Sequence, residues 1–295
     1  MAEQVDNSSS PLSDKLKNSP TVWVWCTDIH VGSPLAVMPE FVVNADGQRI
    51  NPSALQELIN QHWSETWSAI FALKKQYKAK LAVFVSEVIE GVHHGNSQAW
   101  TQLETRMTTA AVELFKPVRK SADVLAVVSG TDAHSGRNGE YDELFADTIH
   151  ADKATRGGKS GRLSANRMRV EMGGVLVDVA HHTASPGTRH HTKGNAFRAY
   201  IRSMCDDIAE IGKPVPRLWL RGHYHVARRE YIESPLRRYE CDAIISPSWT
   251  LMNSFAHRAA TTSEVQEIGL YYGLCANRGL MIHNNILEID VAEEL

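Results

Sequence analysis

No apolar run in the chain is long enough to span a bilayer, and the N-terminus lacks the apolar segment of a signal peptide. A membrane protein is therefore not expected, and the cytoplasm is the expected location. Cysteine is scarce. The four, Cys26, Cys205, Cys241 and Cys275, lie far apart with no paired spacing, which reads as reduced thiols and not a disulfide frame. No Gly-x-Ser-x-Gly elbow occurs, so a catalytic serine or cysteine finds no support. Internal repeats and domain linkers are lacking too. The formal charge of -3 over 295 residues gives no overall pull towards nucleic acid.

What is present suits an α/β protein. At 43% hydrophobic the chain can bury a sizeable core. Residues 1–20 are polar, with Asn7-Ser8-Ser9-Ser10-Pro11, and are expected to be a disordered tail ahead of a single domain over 21–295. Charge gathers locally. Lys153, Arg156, Lys159, Arg162, Arg167 and Arg169 form one basic cluster, and Arg217, Arg221, Arg228, Arg229, Arg237 and Arg238 another. Each is either a phosphate-binding patch or an ordinary solvated face.

Strands and helices alternate along the first two thirds. Trp23 to Cys26, Leu81 to Val85 and Val124 to Val128 are continuous apolar runs, as strands buried on both faces should be. Between them, Ser53-Ala54-Leu55-Gln56 is a capping box that opens one helix. A second helix is expected from about Ser97 to Phe115, stopped by Pro117. The stretch from Val31 to Asn51 reads as a long loop around an Asp46-Gly47 turn. Lys153 to Gly161 is a mobile loop candidate. Arg167 to Glu171 and Val175 to Ala180 read as a hairpin, Asn195 to Ile211 as a helix, Leu218 to Leu220 as a strand, and the remainder as mostly strand. Periodicity alone gives an α/β domain.

The chemistry lies where the apolar runs stop. Asp28 and His30 follow the first, Glu87 the second, Asp132 and His134 the third, His181 the strand ending at Ala180, and His223 and His225 the strand ending at Leu220. Side chains two apart on a strand face one side, so Asp28 and His30 should point together. One polar strand end means little; five carrying acids and histidines mark a site at the carboxyl edge of a sheet. His93, His94 and His182 are either partners that orient such ligands or plain rim polarity, and Glu90 is a candidate for the orienting role. His190, His191, His257 and His283 are read as surface or core.

In its order of motifs the chain resembles the calcineurin-like metallophosphoesterases over roughly Val22 to Val226. That family runs Asp-x-His, Gly-Asp, Gly-Asn-His, His and Gly-His-x-His. Here Asp28-Ile29-His30 and Gly222-His223-Tyr224-His225 match the first and last motifs. Ser86-Glu87 stands in place of Gly-Asp, and Gly130-Thr131-Asp132-Ala133-His134 in place of Gly-Asn-His. Those two variants resemble a phage and prophage branch of the family.

The resemblance implies a four-layer α/β/β/α sandwich with two divalent metal ions. Asp28, His30 and His225 would hold the first metal, and His181 and His223 the second. Glu87 would bridge them, Asp132 would take the asparagine's place on the second metal, and His134 would stand near the leaving group. The attacking group it implies is a hydroxide bridging ions about 3.5–4 Å apart. Mixed carboxylate and imidazole ligands suit manganese first, with iron, zinc or magnesium as alternatives. The expected reaction is hydrolysis of a phosphodiester, with DNA or RNA as the first substrate. A small nucleotide is the second choice, and a metal-binding module without catalysis is the rival of a different class.

Overall fold

The computed structural model of the chain describes residues 10–92, 99–154, 162–187, 192–252 and 265–290. Two five-stranded sheets face each other. The first has the order β12-β11-β1-β4-β5 and the second β6-β7-β8-β10-β9. In the first sheet β1 (Thr21–Cys26), β4 (Lys80–Ser86) and β5 (Val124–Val128) run parallel, and a long hairpin, β11 (Val265–Ala276) with β12 (Gly279–Asp290), is added antiparallel beside β1. In the second, the hairpin β6 (Arg167–Met172) and β7 (Val175–Ala180) leads into β8 (Leu218–Arg221) and β10 (Tyr239–Ile245), both parallel to β7, with β9 (Arg228–Ser234) at the edge. A two-stranded ribbon, β2 (Val42–Val43) and β3 (Arg49–Ile50), lies in the loop that the Asp46-Gly47 turn marks.

The alternation of β1 explains the layering. Val22, Val24 and Cys26 face an outer helical layer with Trp63, Trp67, Ile70 and Phe115. Trp23 and Trp25 point the other way and pack with Val177, Val179, Leu218 and Leu220 of the second sheet. Helices α2 (Ala54–Tyr77), α3 (Glu104–Ser121) and α5 (Glu140–Thr148) supply residues to that outer layer, and α6 (Asn195–Glu210) covers the far face of the second sheet through Phe197, Ile201, Cys205 and Ile208. The result is an α/β/β/α sandwich. Such strands, apolar on both faces, are what burial between two layers requires.

Three expectations change. Residues 11–20 are ordered: Pro11–Leu16 form α1, capped by the Ser10 hydroxyl, because Leu12 and Leu16 are 1% and 0% exposed in the intersheet core. The first nine residues of the expected tail lie outside the described residues. The second helix starts later, at Glu104, and runs through Pro117 to Ser121. Pro117 is on the exposed face and buried Val118 anchors the last turn, so the missing N–H leaves a carbonyl towards solvent. The capping box is as expected, with Ser53 and Gln56 bonded reciprocally. His93, His94, His190, His191, His257 and most of the loop from Lys153 to Gly161 lie outside the described residues. Among the described residues no helix is long and apolar enough to cross a membrane.

Candidate metal centre

The parallel strands β1, β4 and β5 of one sheet and β7 and β8 of the other release their side chains at one edge. Asp28 and His30 do not reach it by the pleat, as expected from the sequence, because β1 ends at Cys26. They reach it by kinking. Asp28, His30, Glu87, His223 and His225 all have left-handed backbones, with φ of 54°, 53°, 45°, 78° and 52°. Such values are uncommon outside glycine, cost on the order of 1–3 kcal/mol each, and persist only when the surroundings impose them. Here the surroundings are a continued ladder. Asp28 and Ile29 donate their N–H groups to the carbonyls of Ser86 and Glu87, and Val31 donates to Val88.

The donors fall into overlapping groups. Asp28, His30 and His225 form one, Glu87, His181 and His223 a second, and His30, Glu87 and His134 a third, each with donor atoms within 4.8 Å of one another. The Nε2 of His225 lies 3.2 Å from Oδ1 of Asp28. That of His181 lies 3.2 Å from Oε1 of Glu87 and 3.9 Å from Oδ1 of Asp28. The Nε2 of His30 is 3.7 Å from Oε2 of Glu87. Asp28 Oδ1, both ring nitrogens of His30 and His181 Nε2 are buried and make no well-aligned hydrogen bond. Buried polar atoms left so are rare. Oxygen and imidazole donors converging this way fit divalent metal.

Asp132 stands apart. It is exposed and belongs to none of the three groups. The reason is local: Asp132–Ser135 is a helical turn, α4. Two residues along a helix turn the side chain by about 200°, so Asp132 and His134 cannot face the same way.

Residues that the motifs did not single out position the donors. The Thr27 hydroxyl donates to Asp28 Oδ2 at 2.8 Å and lies 3.2 Å from Nδ1 of His181, whose Nε2 is thereby turned to the acids. The Thr131 N–H donates to Glu87 Oε1 at 2.6 Å, and its hydroxyl donates to the same oxygen. Glu90 meets Nδ1 of His30 at 3.0 Å. Buried Asp142 accepts from the N–H of Gly130 at 2.9 Å, holding the turn that carries Thr131. Thr27 and Thr131 adjoin motif positions; Asp142 has no such signal.

Without metal, the charges hold each other. Burial works to raise the carboxyls of Asp28 and Glu87, but the imidazole of His181 leads the opposing effect and keeps both below their ordinary range. Burial works to lower His181, and Glu87 and Asp28 outweigh it, taking it to about 9. Burial and then the neighbouring His30 bring His134 down to about 4. Burial also lowers His223, followed by the nearby His181.

Among the described residues, most arginines of the basic clusters pair with the protein's own acids. Arg221 is 1% exposed, and with Arg167 and Arg169 it clasps Asp178 at 2.7–2.9 Å. Arg228 pairs with Glu230 at 2.7 Å, Arg229 with Asp242 at 2.8 Å, Arg217 with Glu240 at 3.0 Å and Arg237 with Asp206 at 3.4 Å.

No family model and no curated protein matches the chain. Solved structures do. Wild-type Vps29 complexed with zinc from Entamoeba histolytica is 10% identical, over 92% of this chain and 99% of that one, with a TM-score of 0.37. A phosphatase from Mycoplasma pneumoniae is 10% identical over 93% and 94%, with a TM-score of 0.39. A metallophosphoesterase from Sphaerobacter thermophilus is 11% identical over 90% and 87%, with a TM-score of 0.35.

Proposed function

We propose that the protein is a metal-dependent phosphoesterase of the calcineurin-like kind, of its phage and prophage branch, working in the cytoplasm. One observation carries this. Glu87 stands in two donor groups at once, with His30 and His134 on one side and His181 and His223 on the other. A shared carboxylate between two ligand sets is the arrangement that two adjacent divalent ions require. In this reading Asp28, His30 and His225 hold one ion and His181 and His223 the other, with manganese the first choice of metal. When bound, the two ions clamp a phosphate and lower the pKa of a water. The chain's own work is positional. Thr27 fixes the tautomer of His181, Glu90 stands 3.0 Å from Nδ1 of His30, and Thr131 holds Glu87 in place.

The reaction proposed is phosphodiester hydrolysis, with nucleic acid as the substrate suggested by the two arginine-rich segments. A second reading, a small phosphodiester or nucleotide, is favoured by the pairing of those arginines with Asp178, Glu230, Asp242 and Glu240. Hydrolysis of a chromogenic bis-phosphodiester, with manganese and with a chelator, tests the enzyme. Metal-dependent turnover is expected, and its absence in protein that has taken up metal would leave a binding module. Salt dependence of DNA binding separates the substrates, since each phosphate contact releases counterions. A steep slope favours nucleic acid and a flat one the small ester.

A further inference from the structure

We propose that the groove between α2 and α3 binds a small organic anion with an apolar body, its acidic group on Arg106. The groove lies on the outer, helical side of the first sheet. None of its lining residues belongs to the donor groups of the metal centre, so the proposal stands apart from the metal reading.

The cavity follows from small residues on facing helices. One stripe of α3 lines it, Arg106, Thr109, Ala110, Glu113, Leu114 and Pro117, at the spacing of a single helical face. Asn60, Trp63 and Ser64 line it from α2. Trp63 stands edge to face on Phe115 of α3, with centroids 5.3 Å apart. Ala110 and Ser64 are too small to fill the space outside that contact. The stretch from Met38 to Val43 makes the third wall and is tied at both ends. Met38 donates its N–H to Oδ1 of Asn60 at 3.1 Å, and Nη1 of Arg106 donates to the carbonyl of Val43 at 3.2 Å. A wall fixed to both helices leaves a cavity formed before any ligand arrives.

Size selects the occupant. The cavity measures about 1040 Å³, the scale of a small-molecule site. From Arg106 to Pro117 the helix rises roughly 16 Å, which makes the mean section roughly 60 Å². A helix 10–12 Å across needs roughly 80–110 Å², so a peptide helix is too thick to enter. The walls select an apolar body. Phe41 and Val43 are 42% and 38% exposed, and with Trp63, Trp100 and Leu114 they leave apolar surface in water that a ligand would cover.

Charge selects the head. Arg106 is half-buried and uses only one of its five N–H donors on Val43, with no other hydrogen bond or ion pair among the described residues. The free donors of a guanidinium form a fork that suits an acidic group with two oxygens. Two acids also line the groove. Glu113 is paired with Lys116, and Glu40 is exposed, where water and salt screen its charge. The half-buried cation is therefore the stronger pull.

The test titrates two dyes into the full chain and follows their fluorescence. Anilinonaphthalene sulfonate is an anion with an apolar body, and phenylnaphthylamine is the same body without the charge. Wild type should bind the sulfonate one to one. Arg106→Gln keeps a donor for the Val43 carbonyl and removes the charge. It should weaken the sulfonate by about tenfold or more and leave the neutral dye within about twofold. Arg106→Lys should recover part of that loss. Ala110→Leu, from the floor, and Thr109→Trp, from the exposed rim, should weaken both dyes, and thermal melts check that each variant is folded. Equal loss of both dyes in Arg106→Gln would mean that Arg106 only ties down Val43, and would overturn the proposal. So would wild-type affinity in both filled variants, or no saturable binding by wild type. Metal content should be the same in every variant, so failure here is distinct from failure of the metal reading.

Discussion

A Cβ placed on Gly222 would lie 2.7 Å from Oδ2 of Asp28 and 2.6 Å from Oγ1 of Thr27. The absence of a side chain at Gly222 lets the end of β8 close on the end of β1. The following N–H, of His223, donates to that same Oδ2 at 3.0 Å. The first and last motifs of the chain therefore touch through a glycine.

Gly222→Ala should push Asp28 and Thr27 back by a few tenths of an ångström. Overpacking of this kind costs about 1–3 kcal/mol. The expected outcome is a lower melting temperature in the metal-free protein together with weaker metal uptake. Unchanged values for both would mean that the contact relaxes freely.

Asp178 is the buried counter-charge of Arg221. Removing one partner of such a pair costs on the order of 3–5 kcal/mol, because the other charge is left uncompensated. Asp178→Asn should lose that much in chemical denaturation at pH 7. Burial works to raise the Asp178 carboxyl, but Arg221 and Arg167 lower it. Its contribution is therefore complete above the unfolded value of about 3.9 and is lost as pH falls through the folded one. The gap between wild type and variant should narrow on acidification. A constant gap would contradict the assignment.

Metal uptake should release a proton from His181. With its pKa taken to about 9 by Glu87 and Asp28 against the effect of burial, the metal-free ring is protonated at neutral pH. A raised histidine stabilises the metal-free fold below about 6.5 and loses that effect as pH rises through 9. A metal must displace the same proton, so affinity should rise with pH up to about 9. Calorimetry at pH 7.5 in buffers of different ionisation enthalpy reads this directly. Heats independent of the buffer would rule it out.

Asp142 is pushed up to about 6 by burial. A carboxyl raised in the folded state contributes less stability as pH climbs from about 3.9 through 6. Asp142→Asn keeps an oxygen for the N–H of Gly130 and removes the charge, so it should match or exceed wild-type stability at pH 8. Asp142→Ala leaves that N–H unpaired and should lose about 1–3 kcal/mol. Melting curves of both variants at pH 5 and pH 8 decide the matter. A less stable Asn variant at pH 8 would show that the charge itself is needed.

The α/β class was legible because strands buried between two layers have no polar face, the two-sheet sandwich came with the family resemblance, and five strand ends carry acid or histidine. The positions of Asp28, His30, Glu87, His181, His223 and His225 follow from those endings. Asp132 was misplaced because the sequence shows spacing but not whether the spacing is read on a strand or on a helical turn. The partners of the arginine clusters were hidden for a related reason. Charge along the chain is visible, whereas Asp178, which meets Arg167, Arg169 and Arg221 across three strands, is far from Arg221 in sequence. Asp142 left no trace because its role depends on a fold contact with one backbone N–H. Leu12 and Leu16 looked like part of a polar tail because two apolar residues in a short helix carry almost no periodic signal.

The left-handed backbones of Asp28, His30, Glu87, His223 and His225 have a further consequence. Glycine or asparagine adopts the same φ with less strain. A lineage that no longer used this edge would gain stability by discarding those five side chains. Chemistry and durability thus select in opposite directions at the same positions. A laboratory screen that rewarded only heat resistance should erode the metal centre before it touched the core.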